Sequence, residues 1–440
     1  MKYRGETEGN GMIVNVITWS VVLLLGILCM WTAMRAFGRE SVTLRGRTIA
    51  LEKNLGLTGD RFTPKMGIAA ICWGIGVLCA LYGASVIFCF ITRDNASWST
   101  LSDVWMRWDA PHYRDLAELG YHNYTDGEHL FLVFFPLYPW LIHLLAQLIP
   151  DYLVCGHLLS ALCYIAACYM LARLATEEFG RHVGALSLAL FSAYPCAFFF
   201  AAYYTESLFV LLTLTCFYCI RKHRYLLAGI VGALCALTRM QGFLLAAVAL
   251  VEYGVTEHPL RKWREKNWRG LALDLGTKLI PIGIMAVGLG IYLWLNYSVD
   301  GNPFQFMIYQ REHWTQGFLI LPNCLRTIWE YFIGNLSREI GYTTWAAQLS
   351  LFVVCIAVVI YGIRRLPITW ITYFLLVLMM NYSLSYPLSI VRYMATSFPL
   401  HVTIAIGCRK RPMLGYFIML ICTIIQGAFF ITFLQGHALY

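Results

Sequence analysis

Charge is what this sequence has least of. Asp, Glu, Lys and Arg together make up 13% of the 440 residues, whereas 59% are hydrophobic and the mean hydropathy is +0.62. Soluble domains carry about 25% charged residues, so a soluble globular protein is excluded. Apolar runs of about 20 residues, the length that a helix needs to cross a bilayer, recur along the whole chain. The composition therefore predicts an all-α polytopic membrane protein.

Several common catalytic motifs are also missing. The sequence has no Walker A loop, no GxGxxG after a strand and no HExxH, so nucleotide-sugar Rossmann chemistry and metalloprotease chemistry lack support. Fifteen cysteines are present, but most lie in apolar runs, where cysteine behaves as a small hydrophobe. Cys216 and Cys219 have CxxC spacing without a basic neighbour, so we expect no redox or zinc role.

The positive charges are gathered in particular loops, which indicates membrane topology rather than nucleic-acid binding. Residues 35–66 carry seven basic side chains against three acidic ones, which predicts a cytoplasmic loop. Residues 92–129 carry three arginines against seven acids, which predicts an outer loop. Further basic clusters predict cytoplasmic ends at 221–224, 253–278, 364–365 and 409–411.

The apolar segments divide the chain into about twelve crossings within a single integral-membrane domain, 1–440. We expect N-terminal spans in 1–91, a first outer loop with an interfacial helix in 92–153, central spans in 154–299, a second outer loop in 300–344 and C-terminal spans in 345–440. The individual spans are predicted at 12–34 (an uncleaved anchor), 67–91, 154–174, 183–201, 205–220, 279–299, 345–363, 368–386, 393–408 and 413–434.

Two apolar segments do not fit simple crossings. Counting 130–149 as a span would reverse the sidedness of every later loop, so we expect a helix that lies on the outer face. Residues 225–252 have cytoplasmic flanks at both ends and are interrupted at 238–242, which predicts a hairpin of two short helices with Arg239 at its outer tip. Irregular backbone at membrane depth is tolerated where it lines a cavity.

The densest polar stretch of the chain is 106–114, in the first outer loop. Its Asp109 can be read as a catalytic base or as the N-cap of a short helix over 110–119 that ends at Gly120, and the residues alone do not separate these readings. The predicted topology brings other polar groups to the same side of the membrane. The candidate site comprises Asp109 as the catalytic base, with Arg107, His112, Tyr113, Glu206, Arg239, Gln241 and Arg392 as substrate-binding residues.

This set of residues suits transfer of a sugar from a lipid phosphate. An acceptor hydroxyl that attacks an anomeric carbon needs a carboxylate base, whereas a phosphate leaving group needs neutralisation by arginine. Arg239 and Arg392 interrupt apolar segments, where an arginine is costly, which favours function. Glu206 can alternatively be explained by a helix N-terminus, and His112 by packing.

Five segments resemble, in order, the signature of PIG-V-type mannosyltransferases. They are Arg107–Tyr113 with Gly120 and Tyr121, Phe134–Pro139, Tyr194–Phe200 with Tyr204–Phe209, Thr238–Gly242, and Arg392 and Tyr393 with Pro399. The resemblance implies the GT-C fold and transfer of mannose from dolichyl phosphate mannose to a lipid precursor. It also implies that Asp109 is catalytic and that Glu206 is the glutamate of the second motif.

Departures from that signature favour a bacterial relative. Tyr194 stands where asparagine is usual, and Met240 and Gln241 replace serine and asparagine. The implied partners are a polyprenyl-phosphate sugar donor, a lipid or glycan acceptor and membrane lipid, in the plasma membrane of a bacterium or the endoplasmic reticulum of a eukaryote. No cofactor is required by the sequence, and a divalent metal is left open. A transporter or flippase of lipid-linked sugars and an inactive assembly subunit are the alternative functions.

Overall fold

The computed structural model describes residue 20 and residues 23–35, 41–44, 47–50, 59–93, 97–124 and 128–437. Helix follows helix along almost all of this chain. The α-helices are α1 Leu23–Arg35, α2 Pro64–Arg93, α3 Trp98–Trp105, α4 Ala110–Leu119, α5 Leu137–Ala146, α6 Tyr152–Phe179, α7 Arg181–Ala193, α8 Glu206–Arg221, α9 Tyr225–Ala236, α10 Leu244–Glu257, α11 Pro259–Arg264, α12 Trp268–Asp274, α13 Ile280–Gly283, α14 Met285–Asp300, α15 Gln305–His313, α16 Leu321–Gly334, α17 Ala347–Gly362, α18 Ile368–Asn381, α19 Ile390–Ala395, α20 Phe398–Cys408 and α21 Pro412–Gln435.

Five of the described helical segments are long and apolar enough to cross a membrane. They are Pro64–Arg93, Tyr152–Phe179, Trp268–Asp300, Gly341–Gly362 and Pro412–Gln435, and five shorter apolar helices accompany them. The predicted fold class, an all-helical multi-pass membrane protein, is confirmed. The count of about twelve crossings stays a prediction, as do the boundaries of the single domain.

The predicted cytoplasmic loop 35–66 contains a small hairpin that the sequence analysis missed. Strands β1 Ser41–Leu44 and β2 Arg47–Ala50 pair antiparallel, with Ser41 opposite Ala50 and Leu44 opposite Arg47. Both strands contain β-branched residues, which favour strands. Four residues per strand are too few for the alternation of apolar and polar residues to stand out.

Several predicted boundaries were wrong, and two of the breaks lie next to proline residues, Pro195 and Pro399. The span predicted at 183–201 ends at Ala193 and is followed by a 3₁₀ turn, Ala197–Phe200. The span predicted at 393–408 is interrupted after Ala395, and its second part begins at Phe398. Conversely, the span predicted at 279–299 is the apolar part of a 33-residue helix, Trp268–Asp300.

Close packing of the broken hairpin depends on glycine. A Cβ at Gly288 would lie 2.0 Å from the Ala233 carbonyl oxygen, so α14 and α9 can touch only without a side chain at this position. Small residues at crossings let helix backbones approach closely in membranes. The hairpin itself is as predicted, since α9 ends at Ala236, a 3₁₀ turn covers Met240–Phe243 and α10 begins at Leu244.

The loops that the charge pattern assigns to the cytoplasm contact one another at one end of the bundle. Arg221 binds Glu178 at 2.7 Å and Glu252 at 2.8 Å, and the Trp370 indole N–H donates to Glu178 at 2.8 Å. The Asp60 carboxylate accepts a hydrogen bond from the Arg181 amide at 2.7 Å. The cytoplasmic location of these loops stays a prediction.

The segment predicted to lie on the outer face is short. Helix α5 has ten residues and therefore a length of about 15 Å, half the hydrocarbon thickness of a bilayer. Its Leu137 amide donates to the carbonyl of Leu237 at 3.1 Å, so α5 contacts the tip of the broken hairpin. This contact joins the first outer loop to the backbone that carries Arg239.

Candidate active site

A cavity of about 310 Å³ lies at the end of the bundle that carries the two predicted outer loops, where these loops and the broken hairpin meet. It brings together six of the eight residues predicted for the site. The lining includes Asp109, Tyr113, Glu206, Arg239, Gln241 and Arg392. The predicted topology thus brought together residues that come from four distant segments and line one cavity.

Asp109 lies on the rim of this cavity. Helix α4 starts at the next residue and ends before Gly120, whose φ is +75°, as predicted. However, the Asp109 side chain makes no capping hydrogen bond, so the N-cap alternative was wrong for the carboxylate. Trp108 has a left-handed φ of 47°, an uncommon conformation for a bulky residue, and this turn sets the direction of the chain entering α4.

Glu206 lies at the bottom of the site as the first residue of α8. Its side chain is 1% exposed, and its Oε1 lies 3.0 Å from Arg239 Nη1 and 3.2 Å from Arg392 Nε. Arg392 extends further, to 3.7 Å between its Nη2 and Asp109 Oδ2. Two carboxylates and two guanidinium groups thus form one buried chain of alternating charge, which offsets the cost of burying each of them.

Aromatic rings fix the orientation of both arginines. The Tyr393 ring centroid lies 4.6 Å from Arg239 Cζ and 5.1 Å from Arg392 Cζ. Arg392 also contacts the rings of Phe199 and Tyr204 at 5.1 and 5.2 Å. Cation–π contacts of this kind stabilise a desolvated guanidinium and hold its plane in place.

The ion pairs in the site are close but poorly aligned. Within the part of the chain that the structure describes, neither Glu206 oxygen has a hydrogen-bond partner, and the same holds for Arg239 Nη1 and Arg392 Nε. The distances to Glu206 nevertheless fall within ion-pair range, so we interpret the contacts as electrostatic. An acceptor-rich anion in the cavity would accept hydrogen bonds from the two arginines.

Tyr113 and Gln241 add neutral polar groups. Burial and the neighbouring charges of Asp109 and Glu206 raise the pKa of Tyr113, so its phenol stays protonated and can donate. The Gln241 side-chain amide donates to Asn381 Oδ1 at 3.4 Å, which leaves its carbonyl oxygen for other partners.

Arg107 and His112 lie outside the lining of this cavity. Arg107 Nη2 donates to the Leu434 carbonyl at 3.1 Å and thereby contacts the end of α21. His112 Nδ1 lies 2.9 Å from the Tyr124 hydroxyl, and the ring stacks on Phe131 at 4.1 Å between centroids. Their predicted binding role stays a prediction, and packing explains both positions.

The sequence analysis missed the contribution of the second outer loop. Gln310, Trp314 and Gln316 line the same cavity as the charged residues, as do Asn381 and Tyr393. The abundance of aromatic and amide residues in 300–344 was a usable signal. It could not be assigned to the site because nothing in the sequence shows how that loop folds back.

The charged residues do not form a metal centre of ordinary type. No group of three or more His, Cys, Asp or Glu side chains that could hold a metal ion occurs among the described residues.

Comparisons with known proteins gave a match to one family profile and a similarity to a solved structure. The profile of the family described as dolichyl-phosphate-mannose-protein mannosyltransferase matches residues 135–281. Over that third of the chain, the protein resembles this family. The matched stretch contains Glu206, Arg239 and Gln241 but neither Asp109 nor Arg392.

Among solved structures, the chain is similar to the crystal structure of ArnT from Cupriavidus metallidurans bound to undecaprenyl phosphate. The two share 16% sequence identity with a TM-score of 0.47, and the alignment covers 81% of this chain and 63% of that one. The chain thus spans less than two thirds of the length of that neighbour. A comparison with curated proteins gave no significant match.

Proposed function

We propose that the protein is a glycosyltransferase of GT-C architecture that uses a polyprenyl-phosphate sugar donor. A lipid or glycan on the outer face of the membrane is the acceptor. The observation that carries the proposal is the state of Asp109. Its carboxylate has no capping partner, is 32% exposed, and borders a cavity that also holds the buried Arg392 and the largely buried Arg239. The family profile supports the same chemistry, and it favours mannose as the sugar.

In this proposal, Asp109 takes the proton of the acceptor hydroxyl as that oxygen attacks the anomeric carbon. The bond from the anomeric carbon to the phosphate oxygen breaks, and polyprenyl phosphate leaves with the bonding electron pair. Arg239 and Arg392 neutralise the charge that develops on the leaving oxygen, so no acid is needed to protonate it.

Glu206 is unsuited to act as the nucleophile of a double displacement. It is 1% exposed and lies between two guanidinium groups, whereas Asp109 is open to the cavity. A single carboxylate base with direct displacement inverts the anomeric configuration. The product should therefore carry the linkage opposite to that of the donor.

The proposal is tested with purified protein in lipid nanodiscs, labelled polyprenyl phosphate mannose and a membrane extract as the acceptor source. Wild-type protein should form a labelled product, and Asp109→Asn should lower the rate by roughly a hundredfold or more. Melting should change little, because the Asp109 side chain makes no capping bond and its ion pair with Arg392, at 3.7 Å, is long and partly exposed.

Asp115→Asn is the matched control. Asp115 lies on the same helix, pairs with Arg114 at 2.7 Å and does not line the cavity, so its loss should leave turnover near normal. Near-normal turnover in Asp109→Asn would end the assignment of the base. Movement of the intact lipid-linked sugar across the bilayer without any product would instead identify a transporter.

A further inference from the structure

Residues without charge also line this cavity. Gln310, Trp314 and Gln316 come from the end of α15 and the segment after it; we call these three residues the neutral wall. They bring two amides and an indole to a cavity whose lining also holds Asp109, Glu206 and both arginines. The charged and the neutral residues therefore suit different parts of one substrate.

A local turn aims the neutral wall inward. Thr315 has a left-handed φ of 53°, and the amide of Gln316 donates back to the Gln310 carbonyl at 2.9 Å. The chain thus reverses at the end of α15, which lets residues on both sides of Thr315 border the same space.

Backbone hydrogen bonds hold this turn against the segment that leads to Arg392. The Leu319 amide donates to Ser383, and the Ser385 amide donates to Gly317, at 2.9 and 3.0 Å. The Ser385 hydroxyl donates to the Thr315 carbonyl at 2.8 Å and accepts from the Gly317 amide at 2.7 Å. The position of the neutral wall relative to the charged residues is therefore set by the fold.

The polar atoms of the neutral wall are available to a ligand. Among the described residues, neither the Gln310 carboxamide nor the Trp314 indole N–H has a hydrogen-bond partner. The Gln316 amide group donates to the Tyr386 carbonyl at 3.3 Å, which leaves its carbonyl oxygen free to accept. Donors, acceptors and one aromatic face without any formal charge match the hydroxyl groups and the apolar face of a pyranose ring.

We infer that the neutral wall is the sugar-binding subsite, at which Trp314 stacks on a pyranose ring while Gln310 and Gln316 bind its hydroxyl groups. This inference rests on the proposed function, because the arginines take the phosphate of the same substrate. The ring belongs either to the donor sugar or to a sugar of the acceptor, and the two sources are separated by experiment.

The test compares binding of two lipids to the full-length protein in nanodiscs: polyprenyl phosphate mannose and polyprenyl phosphate. Trp314→Ala should weaken binding of the mannose-bearing lipid about tenfold, as expected for the loss of a hydrogen bond and an aromatic contact. Its affinity for polyprenyl phosphate should not change, which also shows that the variant is folded. Gln310→Ala should give the same pattern with a smaller effect.

Phe318→Ala is the matched control, because Phe318 belongs to the same segment, is 82% exposed and does not line the cavity. If Trp314→Ala binds both lipids normally and raises only the KM for the acceptor, the subsite holds the acceptor sugar and the inference stands. Unchanged donor affinity together with unchanged acceptor KM overturns it, as does an equal loss for both lipids. Wild-type protein that binds neither lipid refutes the proposed function as well. A wild-type preference that survives in Trp314→Ala together with an unchanged acceptor KM refutes the subsite alone.

Discussion

Replacement of Glu206 by glutamine should lower stability and raise phosphate affinity at the same time. The substitution keeps size and shape but removes the charge that faces Arg239 and Arg392 at 3.0 and 3.2 Å. Removing one partner of a buried ion pair costs about 3–5 kcal/mol, because the other charge is left uncompensated. Here two guanidinium groups lose their shared counter-charge, so we expect the free energy of unfolding to fall by an amount in the upper part of that range.

The same change frees both arginines for an anion. A charge-assisted hydrogen bond contributes about 1.5–3 kcal/mol, so Glu206→Gln should bind polyprenyl phosphate roughly ten- to a hundredfold more tightly. Thermal unfolding in detergent and lipid titration in nanodiscs measure the two quantities on one preparation. Added polyprenyl phosphate should restore part of the lost stability, because a ligand that binds only the folded state stabilises it.

Glu252→Gln provides the matched control at the opposite end of the bundle. Glu252 is 3% exposed and pairs with Arg221 at 2.8 Å, so its variant should be destabilised without a change in phosphate affinity. A Glu206→Gln protein with wild-type stability would show that the Glu206 charge does not offset the charges of Arg239 and Arg392. Unchanged or weaker lipid binding would show that the arginines do not face the phosphate.

The remaining predictions concern the arginines and the topology. Arg239→Gln and Arg392→Gln should each weaken donor use by about 2–4 kcal/mol, measured as kcat/KM with labelled donor, and normal kinetics in a folded double variant would remove both from the site. The topology is tested by cysteine labelling in a background in which the exposed Cys72 and Cys79 are replaced by alanine. Asp109→Cys should react with an impermeant maleimide from outside, whereas His223→Cys should react only after permeabilisation. Labelling of both positions from one side would contradict the topology.

Charge counting in loops predicted much of this structure because membrane topology depends on few residues. Placing the hairpin tip outside was enough to bring Arg239 to the same cavity as Asp109, although 130 positions separate them. The partnership of Glu206 with both arginines was not predictable, because it depends on where α8 begins relative to α19. The sequence around a carboxylate at the start of a helix does not show whether that carboxylate faces water or two guanidinium groups.

For Asp109, the local structure was predictable from the sequence but the role of the side chain was not. Sequence rules gave its helix and the end of that helix, yet they could not separate a capping carboxylate from a catalytic one. The absence of a capping hydrogen bond from the side chain argues against the capping role alone, and the catalytic role stays a proposal. Arg107 and His112 were drawn into the predicted site by their proximity in sequence, whereas α4 and the turn before it direct them to other parts of the fold.

The 33-residue helix Trp268–Asp300 is longer than a bilayer is thick. At 1.5 Å per residue it measures about 50 Å, against a hydrocarbon layer of about 30 Å. Tilt alone would have to exceed 50° to hide it, which is beyond the usual range, so part of the helix protrudes. The ion pairs of Lys278 and Lys262 with Asp274 lie in the predicted cytoplasmic loop 253–278, so the predicted topology places the protruding part in the cytoplasm. The 22 residues beyond Lys278 then match the hydrocarbon layer, and we expect Asp300 to emerge at the outer surface. The neutral wall starts ten residues later, at Gln310, so this topology would place it at the level where the sugar of a membrane-anchored lipid leaves the bilayer.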